Sequence, residues 1–205
     1  PVMDARALLE LFREALVADP QISRAMRADI SACYDRDPAC DRYSTPLLYF
    51  KGFHALQSQR ITHWLWQQDR KTLPYFLQNR ISEVMSADIH PAARIGEGVM
   101  LDHGTGVVVG ETAVIGNNVS ILHGVTLGGS GKERGDRHPK IGDGVMIGAG
   151  AAILGDIRVG ECAKVGAGSV VLDDVPAHTT VAGVPAKVVA QLGPGTPALD
   201  MDQRV

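Results

Sequence analysis

From Ile95 onward an aliphatic side chain returns every sixth residue, and that period restricts the fold more than any other feature of this chain. One series runs Ile95, Leu101, Val109, Ile115, Ile121 and Leu127, with a two-residue insertion before Val109. After a polar excursion at residues 128–140 a second series follows: Ile141, Ile147, Ile153, Val159, Val165 and Val171. Every one of these positions holds Ile, Leu or Val, which excludes a chance glycine-rich loop. A helix repeats about every 3.6 residues and a half-buried strand about every 2, so neither yields this spacing. Short strands joined by tight corners do, each coil stacking its aliphatic residues on those of the next. Three such sides make a coil of about 18 residues, and the repeat supplies about four coils. Small or aliphatic residues recur four positions on, as at Val99, Ala113, Val119, Val125, Ala151 and Ala163. Glycine often comes directly after the aliphatic residue, as at Gly96, Gly110, Gly116, Gly142 and Gly148, and eases the corners.

The region before the repeat is a different kind of polymer. All ten aromatic residues lie before residue 77, whereas 20 of the 23 glycines lie between Gly96 and Gly183. Leu8, Leu11, Phe12, Ala15 and Leu16 follow a helical period, and Ile22, Met26, Ile30 and Cys33 repeat it. Ser44-Thr45-Pro46 has the form of a capped helix start, and the aromatic segment to about Gln67 is expected to be buried. Thr72-Leu73-Pro74 starts a further helix with Leu73, Leu77, Ile81, Val84 and Met85 on one stripe. Between the second and third helices, Asp35 to Arg42 form a polar loop dense in acids, by itself readable as a solvated connection. The expected organisation is α+β: an α-helical domain over 1–87, the repeat domain over 88–188 and a flexible tail over 189–205.

Charge and cysteine content exclude several functions. A net charge of −3 and a pI near 6.2 leave no electrostatic footprint for nucleic acid or an anionic membrane. The apolar runs fall short of the roughly 18 residues of a membrane span, and no secretory signal opens the chain. Cys33, Cys40 and Cys162 are odd in number and lack C-x-x-C spacing, against both a disulfide framework and a zinc site. A cytoplasmic protein with reduced thiols is expected.

The repeat resembles the hexapeptide pattern of left-handed parallel β-helix acyltransferases, and the handedness is taken from that likeness. Asp37-Pro38-Ala39, Tyr43-Ser44-Thr45-Pro46-Leu47-Leu48, Lys51-Gly52-Phe53-His54-Ala55 and His63-Trp64-Leu65-Trp66 resemble serine O-acetyltransferases in particular. So do Asp88-Ile89-His90-Pro91, Leu101-Asp102-His103, Val109-Gly110-Glu111-Thr112 and Gly135-Asp136-Arg137-His138-Pro139-Lys140. The likeness spans about residues 20–190. It implies acetyl transfer from acetyl-CoA to the hydroxyl of L-serine, a step of cysteine biosynthesis, in a ternary complex without a bound cofactor or metal.

A serine hydroxyl is a weak nucleophile at neutral pH and needs a base, for which imidazole is suited. His103 stands beside the Leu101 column, an odd place for an imidazole without purpose, and the resemblance makes it the general base with Asp88 as its orienting carboxylate. It further implies Asp37 and Asp102 for the substrate ammonium, and Arg137 with His138 for the carboxylate. For the coenzyme A arm it implies Gly129, Ala149, Ala167 and Lys164. It implies a homotrimer or a dimer of trimers with sites between subunits, and feedback inhibition by L-cysteine. Members also dock a tail, often ending in isoleucine, into O-acetylserine sulfhydrylase; here the sequence stops at Met201-Asp202-Gln203-Arg204-Val205. Two alternatives remain at this level. One is a hexapeptide acetyltransferase acting on a sugar or antibiotic hydroxyl. The other is a metal-binding β-helix of carbonic anhydrase type, in which His103 and His123 stack and His90 falls on a different side.

Overall fold

The computed structural model describes residues 3–131 and 134–204; Lys132 and Glu133 of the excursion and Val205 of the tail lie outside them. Five helices come first: α1 (Ala5–Ala18), α2 (Pro20–Arg36), α3 (Ser44–Tyr49), α4 (Lys51–Gln67) and α5 (Thr72–Met85). Asp19 caps α2 by accepting from the Gln21 N–H, and Pro20 opens that helix, where a missing N–H costs nothing. Helix α3 starts at Ser44 as its sequence indicates, but no side chain caps it; the Thr45 N–H donates to the Arg42 carbonyl instead. Leu11 and Ala15 of α1 pack with Ile22, Ile61, Trp64, Leu65 and Leu77, while Leu8, Phe12 and Leu16 close the edge of this cluster. Two expected contacts fail. Val84 lies exposed at the end of its stripe, and Tyr49 is 75% exposed because α3 turns it outward into a cleft.

Helix α4 carries no apolar stripe, since it is covered by helices on one side and by the first coil on the other. Its polar residues Gln57, Gln59, Arg60 and Thr62 are therefore buried. Buried charge needs a partner. Asp29 of α2, fully buried, accepts from Arg60 Nη2 at 2.8 Å, Arg60 Nε at 3.0 Å, Gln57 Nε2 at 2.8 Å and the Val99 N–H at 2.9 Å. Arg60 also donates to the carbonyls of Ile95 and Gly96. One ion pair thus joins two helices to the repeat. Burial pushes the Asp29 carboxyl above its ordinary range, and the facing Arg60 opposes that rise.

The chain leaves α5 through Ser86 and becomes a parallel β-helix with three faces. The first face stacks strands Ala87–Ile89, Val107–Val109, Thr126–Gly128, Ala152–Leu154 and Val170–Val171. The second stacks Arg94–Ile95, Val114–Ile115, Lys140–Ile141 and Arg158–Val159. The third stacks Met100–Leu101, Ser120–Ile121, Met146–Ile147, Lys164–Val165 and Thr179–Gly183, and Ala186–Gln191 returns antiparallel to close it. The first face has five strands where four coils were expected, because the solenoid starts at Ala87, ahead of Ile95. Eleven of the twelve periodic aliphatics are buried in one continuous core, and Ile95 packs against its end.

The segment expected to be a flexible tail folds back on the solenoid. Helix α6 (Pro197–Asp200) sits on the third face, where Ala198 is fully buried against Leu122 and Met146. The Ser120 hydroxyl donates to the Ala198 carbonyl at 2.8 Å, and Lys164 reaches the Arg204 carbonyl. A small side chain at the contact and partners for the freed backbone groups explain why this stretch orders.

Candidate active site

The two-residue insertion is local and has a definite address. Leu101 pairs with Ile121, the Asp102 N–H donates to the Ile121 carbonyl, and the Gly124 N–H donates to the Thr105 carbonyl. His103 and Gly104 are therefore the extra residues, pushed out of a corner that every later coil turns more tightly. The insertion carries His103 at φ 59°, in the left-handed region where a side chain is strained. Helix α4 holds it there. A Cβ on Gly52 would overlap the Leu101 carbonyl oxygen, and one on Gly104 would come within 2.7 Å of Gly52 Cα. Two glycines facing each other thus let the start of α4 clamp the turn.

Around this turn lies a cleft of about 600 Å³. Asp37, Asp102 and His103 line it together, with Cys33, Tyr49, Lys51 and Gly52. Asp37 ends α2, and its Oδ1 accepts from the Ala39 N–H at 2.8 Å, which folds the acidic loop over the opening. Asp102 Oδ1 is 3.8 Å from His103 Nε2, so the carboxylate faces the imidazole without a hydrogen bond. The His103 side chain is 73% exposed and free to meet a ligand. Cys33, in the wall, has its thiol pushed up to about 12 by burial and is no nucleophile.

Arg137 and His138 stand on a different edge. They follow the first face, where the excursion returns, whereas His103 precedes that face. Arg137 Nη2 pairs with Glu111 Oε2 at 2.7 Å, and this contact holds the Glu111 carboxyl below its ordinary range. Thr112 was not singled out from the sequence, yet it organises this edge. Its Oγ1 accepts from the N–H groups of Arg137 at 3.0 Å and His138 at 3.2 Å and lies 2.9 Å from His138 Nδ1. The Thr112 N–H also donates to Nδ1, so the ring proton of neutral His138 sits on Nε2. Replacing Thr112 with valine keeps the shape and removes the hydroxyl. The two backbone N–H groups left without this acceptor are expected to cost about 1–3 kcal/mol in denaturant unfolding. An unchanged midpoint would show that the edge holds without Thr112.

The remaining site residues are spread out. Asp88 lies outward on the first face, between the two edges, and accepts from Gln78 Nε2 at 2.7 Å. Among the described residues no hydrogen bond joins it to His103 within one chain. Ala149 and Ala167 stack below Thr105 and His123 on the His103 edge. Gly129 is on the opposite edge, where a Cβ would sit 3.5 Å from His138 Nε2. Lys164 is buried on the third face under the tail. The histidines divide likewise: His103 and His123 lie edge to face with centroids 5.9 Å apart, whereas His90 packs between Trp66 and Tyr75. The convergence of three imidazoles that the metal alternative requires is therefore not met.

Burial lowers the pKa of His63, His90 and His138 below the ordinary imidazole value. Each must accept a proton in a partly enclosed place to titrate in the folded chain. The stability they confer is complete above the unfolded value of about 6.5 and is lost as pH falls through their lowered folded values. The urea midpoint is expected to hold between about pH 8 and 7 and to fall as the pH drops below about 6.5. A midpoint that rises on acidification would contradict this sign.

A helical cap on a β-helix of six-residue repeats, with an imidazole and two carboxylates in a cleft at their junction, defines a hexapeptide-repeat acyltransferase. The family described as serine acetyltransferase, N-terminal, matches residues 1–58, and bacterial transferase hexapeptide repeats match residues 138–173. The serine acetyltransferase of Escherichia coli K12 is 63% identical over 203 residues, covering 99% of this chain and 74% of its own length. A solved serine acetyltransferase in complex with cysteine superposes with a TM-score of 0.98 at 60% identity, over 100% of this chain and 80% of that one. The enzyme from Brucella abortus S19 in complex with coenzyme A gives a TM-score of 0.92 at 58% identity, over 94% and 77%. The chain belongs to the serine acetyltransferase family.

Proposed function

We propose that the cleft of Asp37, Asp102 and His103 binds L-serine, and that His103 takes the hydroxyl proton as the oxygen attacks the acetyl carbon of acetyl-CoA. The products are O-acetyl-L-serine and coenzyme A, formed directly in a ternary complex, with proximity supplying much of the acceleration. Acetyl-CoA enters as a co-substrate. The observation that carries this reading is the single cleft in which two carboxylates from separate parts of the chain flank an exposed imidazole. The carboxylates suit the substrate ammonium, and the imidazole suits the proton transfer.

The substrate carboxylate calls for Arg137 and His138, which this chain carries on another edge. A homotrimer would bring the Arg137 edge of one prism against the His103 edge of its neighbour, with Asp88 on the face between. The helices then remain available to pair two trimers. Gly129 would reach the donor from the neighbouring chain, while Ala149 and Ala167 supply the near wall. Lys164 could touch coenzyme A only after the tail moves from its ammonium. L-cysteine differs from L-serine at one atom and would compete for the same cleft; the relative solved with cysteine supports this. A cytoplasmic setting fits the three free cysteines, and no helix among the described residues is long and apolar enough to cross a membrane.

Release of free coenzyme A from acetyl-CoA should require L-serine. A panel of hydroxyl acceptors measured by thiol appearance decides the point. Equal turnover with sugars or aminoglycosides, or none with serine, would remove the serine assignment.

A further inference from the structure

Among the described residues no hydrogen bond of its side chain explains His123. It holds a corner position in register between Thr105 and Ala149, in a column that continues to Ala167. The corner is built by the backbone: the Gly124 N–H donates to Thr105, and the Gly150 N–H donates to the His123 carbonyl. Two later coils place alanine at the same position, so the fold does not require a large side chain there. The His123 residue is exposed, yet its ring is set edge to face against His103, with centroids 5.9 Å apart and planes inclined by 73°.

We infer that His123 is a second catalytic imidazole, which donates a ring N–H to the acetyl carbonyl oxygen while His103 handles the serine proton. This rests on the transfer reading given above. The placement supports a division of labour. His103 lies on the cleft side of the edge, beside Asp37 and Asp102. His123 lies on the side of Ala149 and Ala167, the small residues offered to the donor arm. A thioester carried along that column meets His123 before it reaches His103.

The step balances with these two rings. The serine oxygen bonds to the carbonyl carbon, its proton moves to His103, and the carbonyl π pair moves onto oxygen. The oxyanion is held by the His123 N–H, which a neutral imidazole provides. As the anion collapses the C–S bond breaks, and the departing thiolate takes the proton from the His103 imidazolium. Neither oxidant nor metal enters the balance.

Two substitutions separate donation from mere propping. His123→Phe keeps a flat ring beside His103 and removes the donor, whereas His123→Gln returns an N–H on a different frame. With both substrates saturating, kcat of the Phe variant is expected to fall on the order of 10²–10³-fold, with KM for serine within a few fold. The Gln variant should recover at least tenfold of that loss. A Phe variant within threefold of the unmodified kcat overturns the inference, as does a Gln variant no better than Phe. Absence of serine-dependent turnover in the unmodified protein would overturn the transfer reading itself, and this inference with it.

Discussion

Replacing His103 with alanine is expected to lower kcat by about 10²–10⁴-fold while leaving the fold intact. The side chain is 73% exposed and contributes to none of the apolar clusters, so its removal opens no cavity. Alanine at φ 59° suffers the same left-handed strain as histidine, and the turn stays clamped by Gly52. Thermal unfolding should therefore shift little while turnover collapses. Near-normal turnover in a folded His103→Ala protein would leave the cleft without its assigned base.

Replacing Asp29 with alanine should have the opposite character, a large loss of stability from a residue outside the cleft. The carboxylate is fully buried and binds Arg60, Gln57 and the Val99 N–H together. Without it the Arg60 guanidinium remains enclosed with the Ile95 and Gly96 carbonyls as its acceptors. Breaking a buried pair on one side costs about 3–5 kcal/mol, since an uncompensated charge stays behind. Denaturant unfolding is the measurement, with Asp29→Asn as the milder control that preserves shape and some hydrogen bonds. A loss under about 1 kcal/mol would mean that the helical cap and the first coil are joined chiefly by apolar packing.

The solenoid was legible because each six-residue side sends an aliphatic residue and, four positions on, a second apolar one into the core, and burial enforces that choice at every coil. Residues such as Ile121, Ile147 and Ile153 left an explicit periodic record. Helix α4 left none, because it is enclosed from two directions and its buried polar residues break any apolar stripe. The first face gains a fifth strand because Ile89, six residues before Ile95, extends the same series by one coil side beyond where it was counted from. The tail read as disordered because its buried anchors, Pro197 and Ala198, are a turn former and a small residue that do not announce burial. In the candidate site, the odd placing of an imidazole drew attention to His103, while Asp37 and Asp102 came from the resemblance; all three line one cleft. Thr112 stayed hidden, because a threonine among corner residues gives no sign that three groups from residues 137 and 138 will meet its hydroxyl.

The two extra residues of the His103 corner have a consequence beyond presenting an imidazole. A perfect solenoid is translationally monotonous: any groove along its edge looks the same from each coil, and a long thin molecule lying there could slide. His103 and Gly104 break that symmetry at one rung, counted from the helical end of the stack. The edge thereby becomes a ruler with a stop. On the transfer reading proposed above, a flexible thioester laid along it would have its reactive end measured against a fixed mark, with the depth of insertion set by coil height.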